Sequence, residues 1–544
     1  MKLVDMTENM TKLESWKAIA NYVDKSVRTV RRWEEQEGLP IHRQLHQSGA
    51  RIFAFQHEID QWLVSRTKTN SVSVFESSST QRIKLILIPL KLTTDNTELL
   101  FIRDAICEDL IADLSTLNSL SVISFSSVQN IVTDSTPDQD ALAYIKPDFL
   151  IEGSLTITKA EYRINLRLVR AEDSSIIWST RISSLKDNLI ELQQALAYNI
   201  LRALNINTEN LGFNGSSSSS IDNQAAWELL HKARQESLKW HPQAIEFAIE
   251  LLHEALLLTN NAGLIQSSLG RVYLQMREAG IDVTELPLQN VENIIKELEK
   301  SDPNTFFTEQ LKGWYNYATG SVFDGIKHLR NSLDARPFDP DTLGLLANCY
   351  LITGQNELAQ PLIRELLIID PFTPLSICLP GWAHILRGKY PKALPYYKKM
   401  FKLEPQNPLS RLFYVWVLVL NGLSKDACII CDGFNQEPSS FFPMRLACAI
   451  ANGASKKGDS LLILTEEEKK VAHSVEMYAR FTAFAFAAQN NFKEGIYWLN
   501  IAVKLGFCDY RFLVSFEIFF KNIQDLDEFK EVVSVMKQRF STKT

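Results

Sequence analysis

TGQNELAQPLIRELLIIDP (Thr353–Pro371) is followed by RGKYPKALPYYKKMFKLEP (Arg387–Pro405), one pattern displaced by 34 residues. Glycine recurs at 320, 354, 388 and 422, proline at 337, 371 and 405, and alanine at 359, 393 and 427, always at that step. The unit reads as two short helices. A small residue lets them touch, and the proline ends the second one. Such units stack on one another to bury their apolar faces, so the stretch predicts a helical solenoid rather than a globular domain.

The period and these positions resemble the tetratricopeptide repeat. LGRVY (Leu269–Tyr273) and HEALLL (His253–Leu258) look like an earlier, degraded copy, and NNFKEGIYWLNIAVKLGF (Asn490–Phe507) like a final one. A polar-faced helix around 525–540 would cap the array, which we place at 223–544. The segment 281–305 reads as irregular. The family likeness implies a concave face reached by the ninth residue of each leading helix. Those residues are Trp314, Asn348, Trp382 and Trp416. They form a candidate aromatic groove for an extended peptide or partner helix, the other reading being core between repeats. The fifth positions, Gln310, Gly344, Cys378 and Leu412, do not carry the lysine–asparagine pattern of chaperone-type carboxylate clamps.

Before the array, GFNGSSSSSIDN (Gly212–Asn223) lies in a Ser-rich linker, 207–222, and TKTNSVSVFESSSTQR (Thr67–Arg82) makes another, 67–82. Between them, 83–206 reads as a small α/β domain. IKLILIPL from Ile83 is a buried strand, and Ile102, Ile106, Leu110 and Leu114 mark one face of a helix. SVISF and DFLIEGSL give two more strands, a hairpin turns at Asp173-Ser174-Ser175, and a helix closes near Leu204. The strand-Pro-Leu opening, I-x-E-D-L-I-x-x-L-S, V-I-S-x-x-S, P-D-F-L-I-E-G-S-L and I-I-W-S resemble the TolB-like amino-terminal domain. That family includes adenylate cyclase-like proteins. No glycine-rich phosphate loop, nucleophile elbow or paired metal carboxylates accompany the resemblance. Glu108, Asp109 and Asp113 are clustered acids whose spacing on a helix predicts a solvated face.

The amino-terminal 12–66 carries the most specific pattern. SWKAIANYV (Ser15–Val23) and SVRTVRRWEEQ (Ser26–Gln36) are two short helices, each opened by a serine able to cap it. Val27, Val30 and Trp33 face the first helix, which leaves Arg28, Thr29, Arg31 and Arg32 outside. IHRQL and RIFAF form a hairpin around Gln47-Ser48-Gly49, with His42, Arg43, His46 and Arg51 along it, and Ile59, Trp62 and Leu63 return to the core. Together W-x-x-I-A-x-Y, S-V-R-T-V-R-R-W-E, G-L-P-I-H-R and F-A-F-x-x-E-I-D-x-W-L resemble the MerR/excisionase winged helix-turn-helix. The resemblance implies that the arginine helix enters a DNA major groove.

Composition sets the outer bounds. The chain has 544 residues, 45% of them hydrophobic and 22% charged, with a net charge of −7. Nucleic-acid contact is therefore local, and acids such as Glu34, Glu35, Glu37, Glu58 and Asp60 nearly balance the basic residues of the head. No export signal or membrane span is read. The best apolar run, LFYVWVLVL from Leu412, is about half of the roughly 18 residues a span needs. We expect a bacterial protein, cytoplasmic, on the same side of the membrane as the DNA. Its seven cysteines are then free, and Cys428 and Cys431 are buried thiols of a repeat helix rather than a metal or redox site. The expectation is a multidomain regulator: winged helix-turn-helix, TolB-like α/β domain and all-α solenoid. It binds double-stranded DNA and a protein, has no cofactor, and is not an enzyme. The middle domain would couple the two ends or assemble a homo-oligomer. Two other readings are a protein-interaction scaffold with a head that no longer binds DNA, and a non-catalytic signalling protein associated with cyclases.

Overall fold

The structure is a computed structural model. It describes residues 12–13, 15–22, 27, 30, 31, 34, 39–46, 49–55, 58–59, 82–93, 99–133, 136–185, 188–206, 223–259, 262–434, 441–455 and 461–543. The chain divides into two compact units, 1–80 and 81–544.

In the first unit, Ser15 opens the helix Trp16–Tyr22 as its spacing predicts, its hydroxyl accepting from the Ala18 amide at 3.0 Å. The strands His42–His46 and Gly49–Phe55 pair antiparallel, and Lys12–Leu13 joins the free edge of the second. Ile19, Ala20, Val30, Leu39, Ala54 and Ile59 form the core, with Trp16 and Val27 packed on it. Ser26, Trp33, Trp62 and Leu63 lie outside the described residues.

The second unit begins with a mixed sheet. Its strand order is Ile176–Leu185, Glu161–Arg170, Phe149–Ile157, Ile83–Leu87, Leu120–Val122. The first two pairings are antiparallel and the last two parallel. From Leu85 to Leu87 the strand Ile83–Leu87 is apolar and buried on both sides. Leu85 and Leu87 enter one core, and Ile86 enters the other. Glu161–Arg170 instead alternates, with Tyr162, Ile164, Leu166 and Leu168 inward and Arg163 and Arg167 outward. The helices Leu100–Leu114 and Leu189–Ala203 supply the larger core, with Ile102, Ile106, Leu110 and Leu114 all buried.

From Gln224 onward the unit is a helical solenoid. Helix pairs such as Phe306–Ala318 with Val322–Ala335, Pro340–Ile352 with Asn356–Ile369, and Pro374–Ile385 with Tyr390–Leu403 follow the 34-residue step. Ala359, Ala393 and Ala427 are fully buried where paired helices touch. The turn inside each pair needs a left-handed residue, which explains the periodic glycine: φ is 81° at Gly320, 75° at Gly354, 66° at Gly388 and 74° at Gly422. The segment expected to be irregular contains a helix, Leu286–Ser301; Pro287 starts it where its missing amide hydrogen costs nothing. One core runs without interruption from Leu85 and Ile151 of the sheet domain to Trp227, Leu252 and Val272 of the first solenoid helices.

Candidate functional site

In the head, Arg31 is exposed and its guanidinium stands over the Trp16 ring, 5.2 Å from the centroid, so the aromatic face of the first helix holds its charged end. Arg28, Thr29 and Arg32 lie outside the described residues, as do the side chains of Arg43 and Arg51. In the hairpin backbone Arg43 pairs with Ile52 and Arg51 with Gln44. His42 stacks on Phe53 at 5.2 Å, and its Nε2 is 2.6 Å from a Glu58 carboxylate oxygen. This histidine braces the hairpin against the segment after it.

In the solenoid the expected open groove is corrected at two of its four positions. Trp382 is 6% exposed and Trp416 1%. Their rings lie 5.6 Å apart; Phe481 and Phe484 close over Trp416, and Phe512 over Trp382. The covering residues belong to the chain's own carboxy-terminal part. The Cys508 amide donates to the Ile352 carbonyl at 2.8 Å, and Phe516 lies against Tyr390. Phe507, Phe512, Phe516 and Phe520 must leave water; they pack on one another and on Phe484, and Phe512 reaches the Trp382 ring. The Arg480 guanidinium also sits 4.7 Å over the Trp382 ring, held by Glu476 at 2.7 Å. Trp314 and Asn348 remain partly exposed. Arg271 lies 5.8 Å from the Trp314 ring centroid, and the Asn348 amide reaches the Tyr317 hydroxyl at 3.4 Å.

A buried polar cluster went unforeseen, and it corrects the solvated-face reading of the acids. Asp109 and Asp113 are 4% exposed. The helix Gln224–Ser237 covers Asp109. The Trp227 indole donates to its Oδ2 at 2.8 Å and the Gln193 amide at 3.1 Å, and His231 Nε2 lies 3.3 Å away. His231 Nδ1 is 3.6 Å from Glu108, and Arg234 approaches the same carboxylate at 4.0 Å. Burial pushes the Asp109 carboxyl up, but the charge and hydrogen bond of His231, the Arg234 charge and the Trp227 hydrogen bond together outweigh it and hold the group below its ordinary range. Burial likewise pushes His231 down, and the two carboxylates outweigh that and hold it above. The pair joins the sheet domain to the solenoid.

A second joint lies farther along the array. Asp370 accepts from Ser124, Ser127, Thr373 and Ser376, and the Arg82–Glu365 ion pair at 2.7 Å lies beside it in sequence. Spacing could not reveal either joint, because partners such as Asp109 and Trp227 are 118 residues apart.

Among the described residues no group of His, Cys, Asp or Glu is arranged to hold a metal ion, and no helix is long and apolar enough to cross a membrane. No curated protein matches the chain. Among solved structures it resembles a thermophilic TPR protein of Thermus thermophilus, at 17% identity and TM-score 0.30, over 36% of this chain and 100% of that one. A tetratricopeptide repeat protein of Parabacteroides merdae aligns at 11% identity and TM-score 0.32, over 50% and 100%. The Cut9–Hcn1 hetero-tetramer of the APC/C aligns at 15% and 0.36, over 66% and 62%. Residues 80–199, the segment whose sequence resembles a TolB-like domain, match the family described as HilA/YgeH-like transcriptional regulator, second domain.

Proposed function

We propose that the protein is a DNA-binding transcriptional regulator. The observation that carries this reading is the match of 80–199 to the second domain of a transcriptional regulator family, directly behind a head built from helix and hairpin. On this reading the head is a winged helix-turn-helix. Arg28, Thr29, Arg31 and Arg32 face the major groove, and His42, Arg43 and Arg51 of the hairpin contact the flanking backbone. A protein partner docks on the inner face where Trp314 and Asn348 stay accessible, since Trp382 and Trp416 are covered. The protein works without a cofactor and is not an enzyme, and it acts in the cytoplasm, where its DNA is.

The test is selection of bound genomic fragments by the full chain, followed by Arg31→Ala with Arg32→Ala. A bidentate arginine–guanine pair is worth about 1–3 kcal/mol, so the double variant should lose roughly tenfold or more in affinity at fixed salt. Unchanged affinity would refute the groove assignment. It would favour the scaffold reading, to which the His42–Glu58 contact lends support by occupying one of the hairpin's candidate contacts.

A further inference from the structure

Between Asp370 and Glu404 the chain carries no acid and six cations: Arg387, Lys389, Lys392, Lys398, Lys399 and Lys402. Five of them stand on or just before the helix Tyr390–Leu403. Its apolar face, Ala393, Tyr397 and Met400, is buried, and spacings of three and four put Lys392, Lys398, Lys399 and Lys402 on the opposite side. Two of the six cations are already engaged. Arg387 pairs with Glu357 at 2.7 Å, and Lys399 rests over the Phe372 and Tyr144 rings at 4.4 and 5.0 Å. The bordering acids are engaged as well, Asp370 by four hydroxyls and Glu404 by the Asn407 amide at 2.6 Å. Lys389, Lys392, Lys398 and Lys402 are exposed, and among the described residues none of them has an acid within ion-pair distance.

A lysine face on a surface helix is ordinarily just solvated; two features set this one apart. On other helices Lys239, Lys296, Lys469 and Lys530 each lie 2.6 to 3.6 Å from an acid one turn away, which offsets their charge. Here four cations accumulate uncompensated on a protein whose net charge is −7. Lys389 and Lys392 also stand at the amino-terminal end of their helix, where the backbone dipole disfavours a cation. The fold does not ask for them there, whereas an anion bound at that end is attracted by the lysines and the dipole together. At a helical rise of about 1.5 Å per residue, Lys392 and Lys402 are about 15 Å apart, a length over which one DNA strand presents about four phosphates. Between the lysines the face offers Pro391 and Pro395, with Leu403 at its end, and not the aromatic anchors on which protein interfaces centre. Lysine is depleted in those interfaces, while interfaces with nucleic acid are strongly positive.

We infer that the lysine face of the helix Tyr390–Leu403 is a second contact for double-stranded DNA, one that holds phosphates and reads no bases. Lys389, Lys392, Lys398 and Lys402 supply point charges on flexible stems, which suit a backbone bound without regard to sequence. Each phosphate they neutralise releases condensed counterions, so the contact strengthens as salt falls. The choice of DNA as the polyanion rests on the regulator proposed above; the charge and exposure of the face do not. The contact gives the array its own share of the DNA affinity, added to what the head contributes.

The test is a salt titration of the full chain on a duplex of random sequence, read by fluorescence anisotropy between about 50 and about 200 mM salt. One variant combines Lys389→Gln, Lys392→Gln, Lys398→Gln and Lys402→Gln. A control combines Lys239→Gln, Lys296→Gln, Lys469→Gln and Lys530→Gln, which removes the same charge from the paired lysines. Each lost phosphate contact lowers the slope of log affinity against log salt by about 0.9, so the first variant should lose about three to four. The control should keep the wild-type slope, and so should arginine at the four positions of the first variant, which keeps the charge. The inference falls if the first variant loses less than one contact, about 0.9, or no more than the control does. It also falls if the wild-type chain binds no such duplex, or if polyglutamate alone is bound through these lysines, which makes the face a site for an acidic protein. Arg31→Ala with Arg32→Ala separates this claim from the head. If that variant binds selected fragments as wild type does while the lysine variant loses slope, the head assignment fails and the lysine face stands. The reverse result keeps the head and removes the face.

Discussion

Asp109→Ala should be among the most damaging single substitutions in the sheet domain, although the sequence marks that residue as surface. The change removes one carboxylate oxygen on which three groups converge: His231 at 3.3 Å, the Trp227 indole at 2.8 Å and the Gln193 amide at 3.1 Å. Breaking a buried ion pair from one side costs about 3–5 kcal/mol, because the remaining charge stays buried without its counter-charge. The Trp227 indole, which loses its acceptor, adds about 1–3 kcal/mol, less what relaxation and entering water recover. We expect a loss of about 4 kcal/mol in urea unfolding of the full chain, followed by far-UV circular dichroism. His231→Gln should cost less, and the double variant should cost less than the sum, since the second change removes the stranded charge. Acidity gives an independent readout. His231 is held above its ordinary value, so its contribution is complete below about pH 6.5 and disappears as pH rises through the raised value. Asp109 is held below its ordinary value, so its contribution is present above about pH 3.9 and disappears as pH falls through the lowered one. The alkaline loss should vanish in His231→Gln. A cost under about 1 kcal/mol for Asp109→Ala, or strictly additive variants, would refute the account of this joint.

Trp382→Ala and Trp416→Ala should each cost about 3–5 kcal/mol and lower the melting temperature, as expected of large buried aromatics; retention of wild-type melting would restore the open groove at those positions. Asn348→Ala, at a half-exposed position, should stay within about 1 kcal/mol of wild type in the same melts. Gly388→Ala should cost about 1 kcal/mol through its left-handed backbone alone, because a Cβ there meets nothing within 4 Å. Gly320→Ala should cost clearly more, since its Cβ would lie 2.9 Å from the Lys504 carbonyl oxygen; equal costs in denaturant titration would show that the contact yields freely.

Much of this architecture was legible because it is local. The glycine period reports a backbone requirement inside one helix pair, and the buried alanines report a contact a few residues away. The alternation of Tyr162, Ile164, Leu166 and Leu168 reports a sheet with one covered face. Trp382 and Trp416, 34 residues apart at the same repeat position, lie ring to ring. Their covering was not legible. Phe512 approaches Trp382 from 130 residues away, and no periodicity links the two segments. The acids of the helix Leu100–Leu114 failed for the same reason: spacing shows which residues share a face, but not that a later helix will cover it.

The two unforeseen joints decide how the large unit must behave. The sheet domain is bonded to the first solenoid helix through Asp109 and His231. It is bonded again, more than a hundred residues further on, through Ser124 and Ser127 to Asp370 and through Arg82 to Glu365. A domain held at one point can swing; one held at two points along the array cannot move without breaking one of them or bending the helices between. Phe372 sits inside the smaller core of the sheet domain, so the second joint is apolar as well as polar. Trp382 is meanwhile closed over by Phe512, and Trp416 by Phe481 and Phe484. The sheet domain and the solenoid therefore form a braced body rather than a loose string of repeats, and its braces are charged and hydroxyl groups whose removal can be measured one at a time.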